Sequence, residues 1–378
     1  ADQIARTECA ATYNTSLGCQ ALQNLAAGGI NNTALGYQAG YSLTTGDDNV
    51  ALGSYALYTE DGNGRNVAIG RGALYTLNAG TNAYNVAIGY DAGTAMSTGF
   101  NNTLIGGNAG ANILAATDNV LVGTYAGDAL TGGIRNVAVG TSALGAEDAH
   151  GYNTAIGHGT LQVQNAGANA YNTAVGYEAG NQVSTGRYNT IMGGLAGDAI
   201  TTGWNNIAIG YAALSAEDTG ARSIAIGNAA LAAQNNAGDN YNVAIGHNAG
   251  TAVSTGIFNT LIGGLTGDAL NTGAYNTAMG KGALGSTTTA SFNVVMGNNA
   301  LYSNVEGSKS IAVGYEALFT QNPAAPTDMY NVAIGHDAGK LVSTGINNTL
   351  VGGLAGDSLT TGSQNTAIGK GALAAETT

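Results

Sequence analysis

The chain has 378 residues, with glycine at 61 positions, only 9% charged residues and a net charge of −13. Such charge poverty argues against ordinary globular domains, where about a quarter of residues are charged. The ten Lys and Arg residues are scattered singly, so no basic patch exists to displace counterions from nucleic acid or to bind an anionic membrane surface. No run approaches about 18 apolar residues, the length a spanning helix requires. Disorder is disfavoured as well, because 44% of residues are hydrophobic and recur at regular intervals.

Read in chain order, the N-terminal segment ADQIARTECA has neither a basic n-region nor an apolar h-region, so it is not a signal peptide. Residues 1–13 are expected to form a cap or connection, and residues 14–378 one continuous repeat domain. Cys9 and Cys19 are the only cysteines. They are candidates for a disulfide across the first coil if the compartment is oxidising, and two ligands are too few for a metal site.

From residue 14 onward a single string, N-[TVI]-A-[ILVM]-G-x-x-A-[LG], returns in 21 copies. Its first residue falls at Asn14, Asn32, Asn49, Asn66, Asn85, Asn102, Asn119, Asn136, Asn153, Asn172, Asn189 and Asn206. It continues at Ser223, Asn242, Asn259, Asn276, Asn293, Ser310, Asn331, Asn348 and Asn365. Most steps are 17 residues; one of 18 precedes Asn32, and those of 19 or 21 precede Asn85, Asn172, Asn242 and Asn331, in Asn/Ala/Gly-rich stretches that belong on loops. Each insertion is followed by a coil like YNVAIGYDAG, then S-T-G, then a coil like NTLIGG. Groups of coils therefore form a longer period.

Position 2 is β-branched and position 4 is Leu, Ile, Val or Met in every copy, which predicts a short strand over positions 2–4. Positions 3 and 5, Ala in most copies and Gly in all, form its other face. That small face is expected to receive another backbone, and favours an assembly of several chains. A turn or second strand at positions 8 and 9 is expected to place Leu74 or Leu144 in the core. Helix is excluded, since a glycine in every copy costs about 1 kcal/mol each relative to alanine. One coil buries almost nothing alone, so the prediction is an all-β solenoid, or β-roll, of about 21 stacked coils.

The residues that define the repeat are pairs such as Asn32 with Gly36, Asn66 with Gly70, Asn153 with Gly157, Asn242 with Gly246 and Asn365 with Gly369. The asparagines are expected to stack as an amide ladder; glycosylation at strings such as Asn31 or Asn101 is the rival reading.

The string at Asn66–Gly70 and the closer SIAIG and SIAVG strings at 223–227 and 310–314 resemble the head repeats of trimeric autotransporter adhesins. NTALGYQAGYSLTTG at Asn32–Gly46 is more similar still to repeats of bacteriophage tail fibres. These resemblances imply β-rolls packed side by side as a homotrimer, in a virion tail fibre or other extracellular structure. The implied partners are further copies of the chain and a host cell-surface glycan or protein.

Catalytic chemistry is not expected. His158, His247 and His336 share position 6 but lie several coils apart, and Asp128, Asp198, Asp268 and Asp357 share position 10 in the same scattered way. Neither set can form a paired acid/base site. No phosphate-loop string occurs, and no cofactor is expected. Tyr37, Tyr90, Tyr177, Tyr211 and Tyr315 follow the repeat glycine. Their apolar faces and polar tips make them candidates for stacking on sugars, with coil-edge packing as the structural alternative. The expected function is a structural, receptor-attaching fibre segment of a phage tail. A self-assembling extracellular filament subunit or bacterial surface adhesin is the alternative.

Overall fold

The computed structural model describes residues 6–8, 13–147, 149–375 and 377. It is a β-solenoid whose coils follow the 17-residue repeat, with no helix among the described residues. The chain comprises two compact units, residues 1–188 and 189–378.

In the first unit, strands from Asn14–Leu17 to Thr173–Val175 run parallel, each in register with the next. Arg6–Glu8 lies antiparallel against Asn14–Leu17, with Thr7 opposite Thr15. The second unit repeats the parallel arrangement from Thr190–Met192 to Thr366–Ile368. Equivalent residues therefore stack: Ile207 on Ile224, Ala208 on Ala225, Ile209 on Ile226.

Most coils have this one strand; Gly307–Ser308 and Thr327–Asp328 add a short parallel pair in the second unit, and the rest is turns that also hydrogen-bond to neighbouring coils. Leu57 N donates to Ala73 O at 2.9 Å and Thr59 N to Tyr75 O at 3.1 Å. The turns use left-handed backbone at ordinary residues, among them Tyr55 (φ 63°), Leu74 (φ 50°) and Leu144 (φ 54°). Each such residue costs about 1 kcal/mol. Burial offsets that cost at position 9: Leu74 and Leu144 are fully buried, as expected from the sequence, and a turn rather than a second strand carries them inward.

The strand's orientation overturns one expectation. The small face is the interior of its own coil: Ala68, Ala155 and Ala225 are fully buried, while Val67 and Ile69 on either side of Ala68 remain partly exposed. The backbone that approaches each repeat glycine belongs to the next coil of the same chain. A Cβ on Gly106 (φ +137°) would lie 2.5 Å from the carbonyl oxygen of Gly123, closer than any side chain can sit. The glycine requirement is thus satisfied within one chain and gives no argument for a second.

The longer period has a packing cause. Where position 9 is glycine instead of leucine, large residues from adjacent coils occupy the space above it. A Cβ on Gly93 would meet Leu104 at 2.7 Å and Leu74 at 3.0 Å; one on Gly250 would meet Leu261 at 2.7 Å and Leu231 at 3.1 Å. Position 12 of the same coil adds Met96 or Val253, both buried. A leucine coil, a glycine coil and a coil with leucine at position 3 make one packing unit, which is the observed block. The insertion at residues 78–82 is largely exposed, as loop insertions are.

Candidate functional site

The position-1 asparagines form a buried ladder. Asn102 Nδ2 donates to Ala116 O at 2.8 Å, and its backbone N–H donates to Asn85 Oδ1 at 2.9 Å. Asn32, Asn66, Asn153 and Asn242 are buried in the same way, and the N–H of Asn365 donates to Asn348 Oδ1 at 3.0 Å. Asn32, Asn66, Asn102, Asn153 and Asn242 are therefore structural and inaccessible, while Asn365 in the last rung is only partly buried. The NNT asparagines Asn31 and Asn101 are exposed and donate to Asp48 and Asp118.

Two coils carry serine in the ladder, and both carry glutamine at position 12. Gln234 Nε2 donates to Ser223 Oγ at 2.8 Å while its Oε1 accepts from Asn242 Nδ2 at 2.8 Å. Gln321 bridges Ser310 and Asn331 similarly, at 3.1 and 2.9 Å. The long amide replaces the missing one. Position 12 also holds buried carboxylates. Glu217 accepts from Gly220 N at 2.7 Å and Gln234 Nε2 at 2.7 Å, and burial pushes its carboxyl above the usual range. Burial raises Glu60 likewise; one of its oxygens accepts from Asn63 N at 3.2 Å and the other has no hydrogen-bond partner.

The outward face of the strand ladder consists only of positions 2 and 4, which carry Thr, Val, Ile, Leu or Met and never a charge. Ile156, Ile245, Val294, Met296 and Ile311 are each about 40% exposed. In-register stacking turns these side chains into a continuous uncharged stripe within each unit.

The aromatic residues stack along the coil direction. Position 17, just before the ladder asparagine, gives Tyr152–Tyr171–Tyr188 with centroids 4.8 and 5.8 Å apart. In the second unit it gives Tyr241–Phe258–Tyr275–Phe292 at 5.5, 5.0 and 5.0 Å. Cations at the same position lie over tyrosines and pair with acids: Arg65 with Tyr84 and Asp48, Arg135 with Tyr152 and Asp118, Lys309 with Tyr330 and Asp328. Such contacts cover ring faces that a ligand would use.

The five tyrosines after the repeat glycine are exposed, from 43% at Tyr37 to 58% at Tyr211. Four have a neighbour against the ring: Tyr55 edge-on to Tyr37 at 5.3 Å, Arg71 over Tyr90, His158 stacked on Tyr177 and His336 on Tyr315. His158 and His336 are thus partners of tyrosines in adjacent coils, and the three position-6 histidines stay apart in separate coils. Among the described residues no group of His, Cys, Asp and Glu could hold a metal ion, and no helix is long and apolar enough to cross a membrane. Asp128 and Asp268 stay in separate coils, each with its carboxyl raised by burial. Cys19 is an exposed free thiol; Cys9, its expected partner, lies outside the described residues.

One aromatic set was not singled out from the sequence. Tyr41, Tyr58 and Tyr75, all at position 10, stack at 5.2 and 5.0 Å with planes within 9°. Their spacing of 17 residues, the coil period itself, was the available signal. Tyr302 and Phe319 stack at 5.5 Å in the second unit, again at position 10 and 17 residues apart. A cleft opens beside each of these columns. Set against known proteins, the chain matches no family model and no curated protein.

Proposed function

We propose that this chain is a structural fibre segment of a phage tail, assembled as a side-by-side homotrimer and contributing to host-receptor attachment rather than catalysis. The uncharged stripe of positions 2 and 4 carries the reading. The largest apolar patch on a monomer is commonly a few hundred Å², whereas the rungs of one unit together expose on the order of 1,000 Å², the size of a specific interface. A stripe repeated in register at every rung suits an identical stripe on another copy. An end-to-end filament is less well supported, because Arg6–Glu8, paired antiparallel, occupies the edge of Asn14–Leu17 that an incoming parallel coil would need.

Solution mass decides the assembly. Light scattering should give three times the chain mass, and Ile226→Asp combined with Ile245→Asp should yield monomers with unchanged β-type circular dichroism. A wild-type chain that is monomeric at micromolar concentration would overturn the trimer. Failure of the assembled protein to adsorb to any host cell would overturn the attachment role.

A further inference from the structure

The two clefts share much of their construction. In the first unit a cleft of about 410 Å³ is lined by Tyr55, Arg71, Gly72, Tyr75, Asp91 and Thr94. In the second a cleft of about 290 Å³ is lined by residues that include Asp268, Lys281, Gly282, Asn299, Tyr302 and Phe319. Each has a cation followed by glycine at positions 6 and 7, Asp91 or Asn299 at position 7 of the next coil, and a position-10 aromatic that ends a column, in the cation's own coil at Tyr75 and in the following coil at Tyr302. Tyr75 is stacked on Tyr58, and position 10 of the next coil is Thr94, so no further ring continues the column. Tyr302 is stacked on Phe319, and Gly285 stands at position 10 of the preceding coil.

The glycines keep these spaces open. A Cβ on Gly72 would lie 2.2 Å from Asp91 Oδ1, and one on Gly282 would lie 2.6 Å from Asn299 Oδ1 and 3.6 Å from the Tyr302 ring. His158–Gly159 supplies an internal contrast. Position 10 there is Gln162 and, in the next coil, Asn181, whose Nδ2 donates to Gly159 O and to Gln162 Oε1 at 3.0 Å each. Amides fill the space that the aromatic columns leave.

We infer that the two clefts are related binding sites, each for a single neutral pyranose residue. An aromatic side chain beside a cluster of planar polar groups matches the apolar face and equatorial hydroxyls of a sugar ring. Arg71 Nη1 already donates to both Asp91 oxygens, at 3.2 and 3.3 Å, and to Tyr90 OH at 3.0 Å. The guanidinium is therefore neutralised and positioned, with its other N–H groups and the Asp91 lone pairs left to serve hydroxyls. Asp268 and Lys281, of opposite charge, both line the second cleft, and the net charge of −13 further disfavours an anionic sugar. Both volumes lie near the lower end of the small-ligand range of about 300–1,000 Å³, which sets one ring rather than a chain of them.

This inference rests on the attachment reading and supplies its ligand class. Saturation-transfer NMR with methyl α-glucopyranoside, mannopyranoside and galactopyranoside, and with N-acetylneuraminic acid as the anionic control, tests it. At least one neutral pyranoside should bind with a Kd on the order of millimolar, as expected for so small a ligand, and more tightly than the acidic sugar. Gly72→Gln and Gly282→Gln should each remove one of two sites, and the double variant should remove both. Position 7 carries glutamine at Gln20 and Gln38, both in left-handed backbone, so the coil accommodates the change. Tyr75→Leu with Tyr302→Leu provides the second route to the same loss. Retained saturation transfer in both double variants, or none in the wild type, overturns the sites. If no sugar binds while the chain is trimeric and adsorbs to cells, the clefts alone are wrong; sugar binding by a monomer that does not adsorb removes the fibre reading alone.

Discussion

Asn85 Oδ1 accepts two hydrogen bonds from Asn102, one from its backbone N–H at 2.9 Å and one from its Nδ2 at 3.2 Å. One side-chain carbonyl thereby fixes both the main chain and the amide orientation of the next coil. Asn102 passes the relation on to Asn119, at 3.1 Å for both contacts.

Asn102→Ala removes the acceptor for Asn119 N–H and the donor to Ala116 O. Buried groups left unpaired cost about 1–3 kcal/mol each, so the local loss should be about 3 kcal/mol. Hydrogen exchange at the Asn119 amide should accelerate by the corresponding factor of about 100.

Gln234→Leu should be damaging for a related reason, since it removes the donor to Ser223 Oγ and one of the two acceptors of Asn242 Nδ2, which keeps only Gly256 O. Ser223→Asn on that background should recover most of the loss by restoring the amide that other coils use at position 1. A double-mutant cycle in urea should give a coupling of about 1–2 kcal/mol; strict additivity would contradict the bridge.

Gly106→Ala and Gly107→Ala differ by one position and should differ sharply in effect. The first forces a Cβ against the Gly123 backbone at φ +137°, and should cost about 3 kcal/mol or more. The second meets nothing within 4 Å and should stay within about 0.5 kcal/mol of wild type. Chemical denaturation midpoints of the two variants make the comparison.

Leu104→Ala leaves a cavity over Gly93 and should cost about 2–5 kcal/mol. Gly93→Ala on its own clashes with Leu104. Combined, the two changes should cost less than their sum, because the new methyl group enters the vacated space. Thermal unfolding of the four proteins of the cycle tests this.

Glu60 gives a pH dependence with a definite sign. Burial raises its carboxyl above the unfolded value, so its ionised form is disfavoured in the folded state. The favourable contribution of the protonated group is complete below the ordinary glutamate range and is lost as pH rises through the raised folded value. Glu60→Gln should therefore be more stable than wild type at pH 7, with the difference shrinking as pH falls through that window. Urea titrations from pH 4 to 8 would show it; a difference that grows on acidification contradicts the assignment.

The period, the strand over positions 2–4, the glycine at position 5 and the asparagine ladder were legible in the sequence. Each follows from local backbone preference or from stacking identical residues one period apart, and both are written into every copy. The sequence alone did not decide which strand face lies inside. Alternation is symmetric between Ala68 and its neighbours Val67 and Ile69, and the small face was expected to receive a backbone from another chain. Only the closed coil resolves it: Leu74, carried by left-handed backbone in the turn, and the Asn66 amide already occupy the interior, leaving room at the strand for alanine. The clefts were likewise hidden, because Arg71, Tyr75 and Asp91 become neighbours through the turns of two successive coils, while a string of residues records only their order.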